Sequence, residues 1–220
     1  MGFLLRRPSG YRAEFGGAVG RTLSAVVDQW LLVAPKANPA MLEMFADRDA
    51  RPYRDLMPWA GEFAGKYLTS AVQVLRATGD ERLCEWLAAF VARLVALQDA
   101  DGYLGPWPRD CRLSGRAPNV SGGGGTWDAW GHYHVLLGLL LWHEETGDAQ
   151  ALEAARRIGD LFCRTFLGKA PRLVDTGETD KNMAPAHALA QLKEKNRAWR
   201  NFWNELSALA TLSQQQTIMF

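Results

Sequence analysis

Residues 59–80 and 127–148 are two copies of one unit. Trp59 answers to Trp127 and Thr78-Gly79-Asp80 answers to Thr146-Gly147-Asp148, both displaced by 68 positions with no gap between the landmarks. That spacing is about the length of a helix, a turn, a second helix and a long return loop. Repeats of this size are helical hairpins stacked into a solenoid or closed into a ring, because one hairpin is too thin to bury its own apolar face. The expected fold class is therefore all-α.

Periodicity places the helices. The spacing predicts a helix over 60–76 with Phe63, Tyr67, Ala71 and Val74 on one face, ended by Gly79. Asp80 is a plausible N-cap for the next helix, which spaces Leu83, Leu87, Phe90, Leu94 and Leu97 at steps of three and four. Asp99-Ala100-Asp101-Gly102 closes it. In the second copy a helix over 130–144 is apolar nearly all round from Val135 to Trp142, so it should be buried on most sides. It is too short to cross a bilayer. Its partner over 149–166 has a narrower stripe of Leu152, Ala155, Phe162 and Phe166, leaving Arg156, Arg157 and Arg164 to face water. One buried helix followed by one amphipathic helix implies an inner and an outer layer.

An apolar content of 48% with a net charge of +1 suits a domain with a core and gives no broad basic field for nucleic acid. Residues 1–12 carry Arg6 and Arg7, but Phe3-Leu4-Leu5 falls short of a signal-peptide core, so a cytoplasmic location without membrane attachment is expected. Cys84, Cys111 and Cys163 are odd in number and far apart, which argues against a disulfide framework or a zinc site built from them alone. No cofactor is expected in this chain. Cys84 and Cys163 fall in helices as ordinary buried thiols, whereas Cys111 lies in a loop.

Nine tryptophans are many for 220 residues, and Trp59, Trp107 and Trp127 sit beside Gly, Pro and polar residues. Flat aromatic faces beside carboxylates, amides and imidazoles suit a sugar, which presents apolar C–H faces and a rim of hydroxyls. The same tryptophans would equally staple hairpin ends to the core. Polar groups concentrate in 101–107, 127–134 and 178–187. Loops leading into inner helices share one rim of a ring, so these segments can converge on a site. Gly122 to Gly125 precede the second segment without any phosphate-binding pattern.

The ordered set of Asn-Pro-Ala-Met-Leu-Glu-Met-Phe at 38–45, Pro-Trp-Ala-Gly-Glu-Phe-Ala-Gly-Lys-Tyr-Leu at 58–68, Asp101-Gly102-Tyr103-Leu104, 127–134 and Asn-Met-Ala-Pro-Ala-His-Ala-Leu-Ala at 182–190 resembles the glycoside hydrolase family 127 catalytic domain. The resemblance runs from about residue 20 to about 192. It implies an (α/α)6 barrel acting on terminal sugars, as the family's β-L-arabinofuranosidases do. By position, His134 matches a family histidine that starts an inner helix and faces the sugar pocket. Trp127, Asp128 and Tyr103 fall in pocket-lining segments. Glu178, Asn182 and His187 stand where the family brings another polar loop to the pocket, and Trp107 is a further sugar-facing candidate. The resemblance also implies a cysteine nucleophile and a glutamate acid/base beside a cysteine-bound zinc. Those motifs belong to a later half of the barrel with no counterpart in this sequence.

Six hairpins need roughly 400 residues, and 220 accommodate about three. We therefore expect an incomplete barrel over 1–220 with a divergent tail at 193–220, helical through Trp199, Phe202, Trp203 and Leu206. A truncated or frameshifted product would leave exposed inner helices and favour a homodimer. Should the chemistry lie within this half, Asp101, Asp128 and Glu178 are the acids to consider, with cap roles as the alternative for both aspartates. His132 and His134 stand two apart and cannot face the same way, which argues against a metal pair. Three functions follow: hydrolysis of a terminal glycosidic bond, non-catalytic carbohydrate binding by a helical scaffold, and sugar epimerisation through paired histidines.

Overall fold

A computed structural model describes residues 14–192 and the isolated positions 201, 204 and 208. The expectations for residues 1–12 and for the tail helix through Trp199, Phe202, Trp203 and Leu206 lie outside the described residues. Within them the fold is helical, and the sole bridge of extended backbone pairs Leu56 with Val120. The helices are α1 (Gly17–Val26), which continues through a π-turn to Leu31, α2 (Ala34–Ala37), α3 (Ala40–Ala46), α4 (Phe63–Thr78), α5 (Glu81–Ala96), α6 (Asp128–Thr146), α7 (Ala149–Phe166), α8 (Thr179–Asn182) and α9 (Pro185–Leu192).

The repeated Thr-Gly-Asp turn makes the same bonds in both hairpins. Each threonine hydroxyl donates to the carbonyl four residues back, Val74 and Trp142, and accepts from the amide of the following aspartate. Gly79 and Gly147 take the left-handed conformation (φ 63° and 77°) that ends α4 and α6, and their amides satisfy the carbonyls of Leu75 and His143. Only glycine adopts this geometry without strain. The aspartates then cap the next helix: Asp80 accepts from the Leu83 amide, and Asp148 from those of Gln150 and Ala151.

α4 packs chiefly on α6, α9 also packs on α6, and α5 and α7 back them from outside and touch each other. The inner and outer layers are as the apolar patterns imply. Inner helices approach closely because small residues line the seam: a Cβ on Gly65 would lie 2.2 Å from the backbone carbon of His134, and one on Gly138 3.2 Å from Leu68 and the Gly65 carbonyl. At the far end Arg76 of α4 pairs with Glu144 (2.9 Å) and Glu145 (3.0 Å) of α6.

Two details differ from the periodic reading. Phe63 is 39% exposed, and the buried side of α4 runs through Ala64, Tyr67, Leu68, Ala71, Val72 and Leu75, since neighbours cover the helix on two sides. Arg157 and Arg164 do not simply face water: they donate to the carbonyls of Asp99 and Asp101, tying α7 to the loop after α5.

Candidate functional site

The N-terminal ends of α4 and α6 lie side by side, and the repeat brings equivalent positions into contact. Trp127 N–H donates to the Pro58 carbonyl (2.9 Å), and the Trp59 and Trp127 rings sit 5.2 Å apart at 46°. One turn further in, the Glu62 carboxylate accepts from Trp130 Nε1 and from Lys66 Nζ (2.8 Å). His134 meets Trp130 edge-on at 4.6 Å, and Tyr133 hydrogen-bonds through its hydroxyl to His187 Nδ1 (3.2 Å). Glu62, Lys66, Trp130, Tyr133, His134 and His187 thus form one wall along the starts of three inner helices.

Burial is the main influence on His134 and pulls its pKa from 6.5 to about 4, with Lys66 lowering it further and Glu62 opposing. The imidazole is neutral at pH 7, and its buried Nε2 has no hydrogen-bond partner among the described residues. Burial also raises the Tyr133 phenol, so it stays protonated. A flat indole, neutral hydrogen-bonding groups and one internally compensated ion pair suit an uncharged polyol ring better than an anion.

Several residues picked from sequence stand elsewhere. Tyr103 and Trp107 are 0% and 1% exposed, so they are enclosed and do not line an open face. Asp128, 3% exposed, is the hub of a buried network: it accepts from Leu113 N–H (2.7 Å) and the Tyr103 hydroxyl (3.1 Å), with His132 Nδ1 3.1 Å away. Because Leu104 N–H donates to His132 Nε2, the proton of that ring sits on Nδ1, toward Asp128. Burial, and then the Asp128 charge, raises the Tyr103 phenol well above its ordinary value. This hub clamps the 103–113 loop onto the start of α6, which is a structural task.

Asn182 is also enclosed: its amide donates to the carbonyls of Thr126 and Gly177, and its oxygen accepts from Trp130 N–H. It steadies Trp130 from behind. Asp101 holds the Tyr103 amide (2.9 Å) and Arg112 (3.2 Å) in the loop after α5. Glu178 is half-buried at a left-handed backbone position (φ 46°), paired with Lys181, whose Nζ covers the Trp127 ring at 4.7 Å. His187 reaches the wall but is exposed. His132 and His134 are separated into the loop hub and the inner wall, so these two do not face a common substrate atom.

Glu62, Lys66, Trp130 and Tyr133 were not singled out from sequence. Two signals pointed to them: Glu62 and Lys66 stand four apart at the start of an inner helix, and Glu62 and Trp130 are separated by the repeat displacement of 68. Among the described residues no group of three His, Cys, Asp or Glu side chains is gathered as for a metal. Burial raises the Cys111 thiol, and pushes that of Cys163 to about 12.

The family model for the β-L-arabinofuranosidase GH127 catalytic domain matches residues 12–205. Among solved structures, the GH127 β-arabinofuranosidase BT3674 superposes with a TM-score of 0.65 at 16% identity, covering 89% of this chain and 32% of that one. Ara127N-Se, a GH127 β-L-arabinofuranosidase from Geobacillus stearothermophilus T6, gives 0.60 at 14% identity, covering 87% and 33%. At these identities the likeness is one of fold, and the chain spans about a third of the length of these structures. No curated protein matches.

Proposed function

The chain belongs to the glycoside hydrolase 127 family, and from that premise we propose that its inner wall binds the terminal sugar of a glycan, a β-L-arabinofuranoside or a closely similar pentofuranoside. The observation that carries this reading is His134, a half-buried neutral imidazole set edge-on to the Trp130 ring, whose Nε2 has no hydrogen-bond partner among the described residues. In this reading Trp130 takes an apolar C–H face of the sugar, while His134 and the Tyr133–His187 pair take its hydroxyls. Glu62 orients the indole and competes with Lys66 for a further hydroxyl.

Hydrolysis needs two carboxyl groups, about 5 Å apart for retention or 6.5–9.5 Å for inversion, or a nucleophile in their place. Asp128 is committed to its hub and Asp101 to Tyr103 and Arg112, which leaves Glu62, in the wall, and Glu178, paired with Lys181 beside Trp127, as the carboxylates to test. Cys111 and Cys163 offer no activated nucleophile, since burial raises both thiols. Our reading is recognition of the terminal sugar by this chain alone, with little or no turnover.

Isothermal titration with methyl β-L-arabinofuranoside, paired with a reducing-sugar assay on the same sample, tests it. The expected result is saturable one-to-one binding, abolished in His134→Ala, without sugar release. Release that disappears in Glu178→Gln or Glu62→Gln would replace recognition with hydrolysis, and absence of binding would refute the reading.

A further inference from the structure

A recess of about 420 Å³ lies between the α1–α3 segment and α4. Trp30, Leu31, Met41, Phe63, Lys66 and Tyr67 line it, and two of its aromatic rings are held out in solvent, Trp30 being 61% and Phe63 39% exposed. Its lining is mainly apolar, with the exposed side chains of Asn38 and Ser70 as its small polar groups. The Tyr67 hydroxyl donates to the Leu31 carbonyl (2.6 Å) and accepts from Trp86 Nε1 (3.0 Å), so it presents only its ring.

Among the described residues Lys66 is the one charged side chain in the lining, and Glu62 already compensates its ammonium at 2.8 Å. What Lys66 offers the recess is its alkyl stem. A flat, neutral, apolar group is therefore the complementary occupant, and the volume is that of an ordinary small-ligand pocket.

The recess and the sugar wall share Lys66, whose Nζ lies 5.6 Å over the Trp130 ring. A ligand lying along Lys66 would set its sugar on Trp130 and His134 and its aglycone beside Phe63. We propose that the recess is the subsite for an aromatic aglycone, so that the preferred ligands are aryl glycosides of the terminal sugar. This rests on the reading of the inner wall as a sugar site.

The test compares methyl and para-nitrophenyl β-L-arabinofuranosides by titration against the intact chain, against Trp30→Ala and against His134→Ala, with sedimentation velocity on the first two. The aryl glycoside should bind about tenfold tighter than the methyl glycoside. Trp30→Ala should erase that difference and leave the methyl glycoside's affinity unchanged. Equal affinities that still depend on His134 would overturn the aglycone subsite while leaving the sugar wall standing. Failure of both glycosides to bind would overturn the two together. A dimer that Trp30→Ala dissociates would also overturn the proposal, by showing that a second copy fills the recess.

Discussion

Gly65→Ala isolates the contact that sets the wall. On an exposed helix this change gains about 1 kcal/mol in helix propensity. Here the new Cβ would stand 2.2 Å from the His134 backbone carbon and 2.3 Å from the Val135 nitrogen, against an ordinary contact of 3.4–4 Å. The obstacle is backbone and cannot rotate aside, so α4 and α6 must part by roughly 1 Å or more in a region packed at crystal density. Overpacking costs about 1–3 kcal/mol, and a rigid backbone places this case at or above the upper end. After the propensity gain, a net loss of about 2 kcal/mol remains. For a domain of this size that lowers the melting temperature by about 4–8 °C. Gly138→Ala is the milder comparison: its Cβ meets the Gly65 carbonyl oxygen and the Leu68 side chain at 3.2 Å, about 1 Å farther than the Gly65 contact, so a shift of a few tenths of an ångström suffices and its net effect should be about 1 kcal/mol or less. Thermal unfolding followed by circular dichroism at 222 nm measures both. Gly65→Ala melting at or above the wild type would refute the close-seam argument.

Other expectations follow from the same geometry. The fold holds His134 neutral, with a pKa of about 4 against 6.5 when unfolded, so its contribution to stability is present above pH 6.5 and is lost as pH falls from 6.5 toward 4. Acid unfolding curves of wild type and His134→Asn should converge toward pH 4. Sugar binding should hold down to about pH 5, and an inflection near 6.5 would show that His134 is not buried as described. Asp128→Ala strands the Leu113 amide and the Tyr103 hydroxyl and should cost about 3 kcal/mol, whereas Asp101→Ala, at a half-exposed pair, should cost under about 1. Urea melts of the two variants decide this, and equal costs would contradict the hub. Glu62→Gln loses the partner of Lys66 and loosens Trp130, so methyl glycoside affinity should fall about tenfold with little change in melting temperature.

Much of the scaffold was legible because local chemistry repeats. The Thr-Gly-Asp turns announce both helix ends and both caps, and the boundaries of α7 follow from its stripe. The start of α4 was less so: residues 60–62 form a tight 3₁₀ turn before the α-helix begins at Phe63, a distinction that periodicity does not carry. Placement of loop aromatics was harder still. Trp107 beside two prolines reads the same whether it faces a cleft or the core, and what decides is the set of bonds that Asp128, Arg48 and Arg112 make around the 97–113 loop. Those partners come from distant segments. Asp128 looked like a site residue for the same reason that it is a hub, because both roles need a carboxylate at the start of an inner helix. Glu62 was overlooked because its partner, Trp130, lies a whole repeat away.

The central claim is that the wall formed by Trp130 and His134 holds the sugar, and the most direct test is a crystal structure of this chain with methyl β-L-arabinofuranoside at saturating concentration. The account predicts the furanose ring packed on the Trp130 indole, about 4 Å from it, with a hydroxyl about 3 Å from a His134 ring nitrogen. A sugar bound instead at the Asp101 loop or on Trp127 alone, or a wall left without sugar at saturation, would contradict it.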